Sequence, residues 1–164
     1  MEFNHGKIQN TVVYGTKISP NQIFAAEILG FAVFADITRL ARHPGRGRPV
    51  VGYFNMLAPV VELNGQAWFR LTVISRLSSD VIRDWIEEVA LSLPSLLTLE
   101  KFHEALRFAR TPTARPYKTF QGDLVREYLQ LLYDYEQIPV DWTIVKSLAH
   151  EFASYFVRRP LIFS

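Results

Sequence analysis

The sequence VVELNGQAWFRLTVI, residues 60–74, contains the strongest structural signal in the chain. Asn64 and Gly65 stand at its centre, and both residue types tolerate the positive φ angles of a type I′ hairpin turn. The flanking residues are rich in Val, Phe, Trp and Ile, which favour strands. The sequence therefore predicts a β-hairpin in which Val61 faces Trp68.

Further strands and one helix surround this hairpin. Residues 22–43 carry large apolar side chains around most of a helical circumference, which predicts a buried helix that Pro44 and Gly45 terminate. The segment that precedes this helix, residues 17–21, is predicted to be a turn. Strands are predicted at residues 11–14, 50–56, 60–63 and 67–74.

After residue 75 the apolar residues recur at helical spacing. Ser78 or Ser79 is suited to cap the first helix, and Pro94 is expected to end it. Thr98 is suited to cap the second, with Leu99 facing inward. The third helix is predicted near residues 123–135, and the fourth is predicted to start with Pro139 and Asp141 and to end at Pro160.

Strands followed by a run of helices indicate the α+β class. We expect one α+β domain over residues 1–164. Residues 1–76 would form an N-terminal buried helix and a small antiparallel sheet with the Asn64-Gly65 hairpin, and residues 77–164 would form four C-terminal amphipathic helices.

The composition excludes several classes of protein. Of the 164 residues, 49% are hydrophobic and 13% aromatic, which excludes a disordered chain. The absence of cysteine excludes disulfides, thiolate metal sites and thiol catalysis. The longest uncharged stretch, residues 49–61, is shorter than the ~18 residues of a membrane span, so no membrane partner is expected. The polar start of the chain lacks a secretory pattern, so we expect a cytoplasmic protein, or a nuclear one in a eukaryote.

Positive charge is concentrated in three segments that contain no acid: residues 37–61, 105–122 and 152–164. All 16 acidic residues lie elsewhere, although the 18 Lys and Arg residues nearly balance them overall. A solvated basic surface is one explanation. The other is recognition of a polyanion, because arginine binds phosphate with two parallel donors and stacks on rings.

Cationic and aromatic residues alternate in the second segment, a combination that single-stranded nucleic acid binding requires. The leading hypothesis is a non-enzymatic nucleic-acid-contacting accessory protein or ribonucleoprotein subunit, whose three basic segments meet on one surface. The expected phosphate-binding residues are Arg46, Arg48, Arg107, Arg110, Arg115 and Lys118, and the expected stacking residues are Tyr117 and Phe120.

The tetrapeptide Arg46-Gly47-Arg48-Pro49 resembles the core of the AT-hook. This resemblance covers four of the 164 residues and implies two arginines that enter a narrow A·T minor groove.

Two other functions stay open. Large aromatic residues in the C-terminal helices suggest a protein–protein interaction module, such as an adaptor, inhibitor or immunity protein. A metal-independent ribonuclease would use His43 with Arg46 and Arg48, or His103 with Arg107.

No zincin pattern, phosphate-binding glycine loop or nucleophile elbow occurs, so no catalytic residue, metal or cofactor is predicted. Glu27 and Asp36, inside the apolar helix, could be functional carboxylates, but we interpret them as structural ones that reach the rim of the helix or pair with an arginine.

Overall fold

A computed structural model describes residues 9–51, 53–55, 60–110 and 140–158; for residues 53–55, 61–62, 110 and 155–158 it describes the backbone alone. Strands and helices in these ranges confirm the α+β class. The elements in chain order are β1 Asn10–Ile18, a 3-10 turn Pro20–Gln22, α1 Ile23–Arg42, β2 Tyr53–Asn55, β3 Val60–Leu63, β4 Gln66–Ser75, α2 Ser79–Leu96, α3 Leu99–Arg110 and α4 Trp142–Arg158.

Strand β4 is the centre of an antiparallel sheet. Strand β1 pairs with it along one edge, from Asn10 opposite Ser75 to Ile18 opposite Ala67. Strands β2 and β3 share the other edge. Because β1 and β2 both run antiparallel to β4, they are parallel to each other, and α1 connects them in a split βαβ arrangement.

The predicted hairpin is confirmed, with Val61 opposite Trp68. Asn64 and Gly65 adopt φ angles of 53° and 74°, the left-handed values that a type I′ turn needs. Strand β1 is longer than the predicted residues 11–14, because its pairing with β4 extends into the predicted turn as far as Ile18.

Strand β2 is described only at Tyr53–Asn55, within the predicted residues 50–56. Val51 does not continue this strand, because its amide donates instead to the Ala41 carbonyl of α1 at 3.1 Å. The start of the predicted strand is therefore wrong.

Helix α1 confirms the predicted buried helix, and its buried side chains join the inner face of the sheet in one core cluster. Phe152 of α4 completes this core. Its ring lies edge-on to Tyr14 of β1 and to Phe69 of β4, with centroids 4.8 Å apart in both pairs. The Tyr14 hydroxyl also donates to the Phe152 carbonyl at 3.4 Å.

Helix α2 begins as predicted, since the Ser78 hydroxyl accepts from the Val81 amide. The prediction that Pro94 ends it is wrong, because the helix continues to Leu96. Proline removes its own amide from the helical ladder and crowds the carbonyl four residues earlier, but the amides that follow it can still form helical hydrogen bonds. The Leu97 amide still donates to the Leu93 carbonyl at 3.1 Å, and both leucines are buried in the core.

Helix α3 begins at its predicted cap, and α4 begins after Asp141, one of the two residues predicted to start it. The Thr98 hydroxyl accepts from Lys101 at 3.3 Å, and an Asp141 carboxylate oxygen accepts from Ile144 at 2.9 Å. Leu99 was expected to face inward but is 51% exposed, because it lies in the first turn of α3, ahead of the buried Phe102 ring. The helix predicted at residues 123–135 lies outside the described residues. No helix in the described ranges is long and apolar enough to cross a membrane.

Candidate nucleic-acid interface

The loop after α1 folds back onto the end of that helix. We call residues 42–48, from the last residue of α1 to Arg48, the basic loop. Its Gly45 and Gly47 have φ angles of 93° and 80°, which let the chain turn sharply. The Arg48 amide donates to the Gly45 carbonyl at 3.3 Å, and the contact between Val51 and Ala41 closes the loop at its far end. The segment that resembles an AT-hook is therefore part of the folded domain.

The cations of the basic loop differ in their pairing. The Arg48 guanidinium lies 2.5 Å from the Glu88 carboxylate of α2, with both side chains about half exposed. Arg42 and Arg46 are exposed and form no ion pair with a described residue. Just before the loop, Arg39 pairs with Asp36 at 3.5 Å. One arginine thus anchors the loop while two remain available to an external anion.

Arg107 lies on the exposed side of α3. Its guanidinium is 5.5 Å from the ring centroid of the adjacent Phe108, and it forms no ion pair with a described residue. No hydrogen bond or ion pair between described residues joins Arg107 to the basic loop. Of the other predicted contacts, the Arg110 side chain, Arg115, Tyr117, Lys118 and Phe120 lie outside the described residues. The convergence of the three basic segments stays a prediction.

An acidic surface borders the basic loop. Helix α2 exposes four carboxylates, of which one holds Arg48 and another, Asp80, pairs with Arg83 at 3.1 Å. Because like charges repel, a polyanion would approach the loop from the side away from α2. The exposed acids of α2 are Asp80, Asp84, Glu87 and Glu88.

Asp36 has the structural role that the sequence indicates. Its carboxylate accepts from Lys101 of α3 and also pairs with Arg39. Lys101 donates in addition to the Leu96 carbonyl at 3.0 Å, so this lysine ties α1 to the start of α3. Glu27 lies partly buried in the same helix.

The described histidines form no recognisable catalytic or metal centre. His43, His103 and His150 are exposed, and no described group of three or more His, Asp or Glu side chains could hold a metal ion. Only His43 lies in the basic loop, next to Arg42.

Of the aromatic residues that suggested a protein interface, the structure describes three side chains, and all three contact the core. Phe102 is 3% exposed, and Trp85 and Trp142 pack against the core. Among the described residues, these aromatics provide no exposed apolar surplus.

Sequence reasoning missed the outer face of the sheet, which points away from the core. Trp68 and Arg70 lie on it, partly buried, and Lys17 is exposed beside them. Burial lowers the pKa of the Arg70 guanidinium from its ordinary value. The alternation of residues along β4 is the sequence signal that would have placed Trp68 and Arg70 together.

Comparison with known proteins finds no matching family model, no matching curated protein and no matching solved structure.

Proposed function

We propose that this domain is a non-enzymatic accessory protein that contacts nucleic acid through phosphates. The proposal is supported by the basic loop, whose backbone is fixed while two of its arginines are exposed. Its backbone is held at both ends and Arg48 is anchored to Glu88, while Arg42 and Arg46 are exposed without a described carboxylate partner. A cation held on a short, anchored loop loses less conformational entropy when it binds an anion than one on a free tail.

The unpaired charges also define the kind of ligand. The carboxylates of Asp36 and Glu88 offset the charges of Arg39 and Arg48, so these two arginines add less net positive potential than their number suggests. Arg42, Arg46 and Arg107, which form no ion pair with a described residue, would displace counterions from a phosphate backbone. Such binding would be largely independent of sequence.

The test is a titration of the purified chain with a labelled single strand and a labelled duplex at several salt concentrations. The double variant Arg42→Ala/Arg46→Ala should bind more weakly. The slope of log affinity against log salt should become shallower by about 1.4 for a single strand, because two phosphate contacts are lost at ~0.7 each. Circular dichroism would verify that the variant is folded.

A matched control removes the same charge elsewhere. Arg39→Ala/Arg83→Ala deletes two exposed arginines that are each paired within their own helix. It should leave the salt slope close to that of the parent. Equal losses in both double variants, or no binding by the parent to DNA or RNA, would refute the proposal. Capture of a nuclease-resistant protein partner in the latter case would favour the interaction module. RNA cleavage in EDTA that disappears in His43→Ala would favour the ribonuclease.

A further inference from the structure

Strand β4 separates its side chains cleanly onto two faces. Its odd-numbered residues are buried against the helices, whereas the even-numbered ones, from Gln66 to Ile74, point to the outer face. In strand β1, beyond its first residue, the even-numbered residues are buried and the odd-numbered ones lie on the outer face, and the register places Lys17 opposite Trp68 and Gly15 opposite Arg70. An indole ring and two cations are therefore neighbours on one surface, because directly opposed residues in an antiparallel pair lie about 5 Å apart.

Gly15 lies close against the backbone of strand β4. A Cβ atom at this position would lie 3.3 Å from the Phe69 carbonyl oxygen and 3.5 Å from the Arg70 Cβ. Strand β1 thus contributes no side chain directly opposite Arg70. Glycine inside a strand often marks a close approach of another backbone, and here that neighbour is β4.

The charge of this face has one sign. The outer positions of β1 and β4 include Lys17 and Arg70 and no carboxylate, and neither cation forms an ion pair with a described residue. Arg70 is also partly desolvated, as the direction of its pKa shift indicates. A partly buried guanidinium of this kind has no anion among the described residues to offset its lost hydration.

Each end of this face opens into a shallow cavity that contains a cation. The cavity at the hairpin end has a volume of about 500 Å³ and includes Lys17, Ser19 and Gln66 in its wall. The cavity at the opposite end has a volume of about 380 Å³ and is lined by Arg76 together with Val50, which directly follows the basic loop and Pro49. The second cavity therefore lies beside the segment that follows the proposed phosphate-binding loop.

We propose that the outer face of the sheet binds a single-stranded nucleic acid, with an unpaired base stacked on Trp68 and neighbouring phosphates on Lys17 and Arg70. This inference rests on the proposed nucleic-acid function. An aromatic ring flanked by cations fits a single strand, because unpaired bases expose planar faces and each nucleotide carries a charged phosphate. A duplex keeps its bases stacked inside and offers this surface only its backbone.

The experiment compares affinity for a fluorescein-labelled 20-nucleotide oligothymidylate with affinity for a mixed-sequence duplex of equal length. Trp68→Thr removes the ring but retains a β-branched side chain that suits a strand. It should weaken single-strand binding by about 5-fold or more, the effect of losing one stacked base. Duplex binding should stay within about 2-fold of the parent, because the basic loop is intact. Quenching of tryptophan fluorescence by the single strand should also disappear.

Two further variants isolate the role of this face. Trp85→Leu removes another partly buried tryptophan, on α2, and should leave the single-strand preference and the quenching unchanged. Arg70→Gln changes the side chain less than Trp68→Thr does. It should reduce the slope of log affinity against log salt for the single strand by about 0.7. Thermal denaturation would verify that all three variants are folded.

The outcomes separate the two proposals. If the parent binds neither ligand, the nucleic-acid function itself fails. If the parent binds but Trp68→Thr and Arg70→Gln retain its single-strand preference, this face is not the binding surface while the basic loop still can be. A loss of single-strand and duplex affinity by the same factor in a folded Trp68→Thr variant would also overturn the inference.

Discussion

The guanidinium of Arg48 and the carboxylate of Glu88 lie 2.5 Å apart, although they are separated by 40 positions in sequence. Helix α2 therefore supplies the anion that fixes the basic loop. The same anion competes with any phosphate for Arg48. This ion pair both positions the proposed interface and limits its strength.

Removal of the competing carboxylate should strengthen nucleic-acid binding. We expect Glu88→Gln to raise affinity for a single strand and to steepen the salt slope by up to ~0.7, since Arg48 becomes available to one more phosphate. Glu87→Gln is the control, because it removes an exposed charge from the same helix without releasing an arginine. A titration at several salt concentrations would measure both, and identical effects would mean that the ion pair does not limit binding.

Phe152 should be among the most important residues for stability. Phe152→Ala removes a fully buried ring that contacts Tyr14 and Phe69, so we expect a loss of about 3–5 kcal/mol in the free energy of unfolding. Ile144→Ala, on an exposed part of the same helix, should cost less than about 1 kcal/mol. Urea denaturation would compare the two. A cost for Phe152→Ala no larger than that for Ile144→Ala would contradict the position of α4.

The hairpin turn offers a test of backbone strain alone. A Cβ atom on Gly65 would meet nothing within 4 Å, so the cost of Gly65→Ala should arise from its φ angle of 74°. We expect a destabilisation of about 1 kcal/mol. Gly65→Asn should recover part of it, because asparagine tolerates left-handed angles better. Thermal melts would show the order Gly, Asn, Ala in decreasing stability; a more stable alanine variant would be inconsistent with this turn.

Lys101 and Arg39 both contact Asp36, but their removal should have different effects. In Lys101→Ala, the Asp36 carboxylate, which is only 19% exposed, keeps a single partner, the more distant Arg39. The substitution also removes the hydrogen bond from Lys101 to the Leu96 carbonyl. We expect a cost of about 1–2 kcal/mol. Arg39→Ala removes a mostly exposed partner and should cost less than about 0.5 kcal/mol. Chemical denaturation that gave equal values would argue against the link between α1 and α3.

Local signals in the sequence predicted much of the fold. Asn64-Gly65 set the hairpin register, and the caps Ser78, Thr98 and Asp141 marked three helix starts, because these residues satisfy turn or helix-end geometry on their own. The predicted end of α2 at Pro94 was wrong, because the buried Leu93 and Leu97 stabilise the last turn of the helix.

The candidate site was less predictable, because it depends on contacts between distant segments. Nothing in the local sequence around Arg48 indicates that Glu88 would hold it. Lys17 and Arg70 became neighbours only through the pairing of β1 with β4, a register that the hairpin does not specify. The basic composition of a segment indicates which charges are present, but tertiary contacts decide which of them remain unpaired.

The central position of β4 has a consequence for synthesis of the protein. Strand β1 leaves the ribosome early, yet its pairing partners extend to Ser75, and the carbonyl that accepts from Tyr14 belongs to Phe152, 138 positions later. The nascent chain must keep an apolar N-terminal strand unpaired until β4 is made, and without its helical cover until α4 is made. Such long sequence separations slow folding and expose the chain to aggregation in the interval.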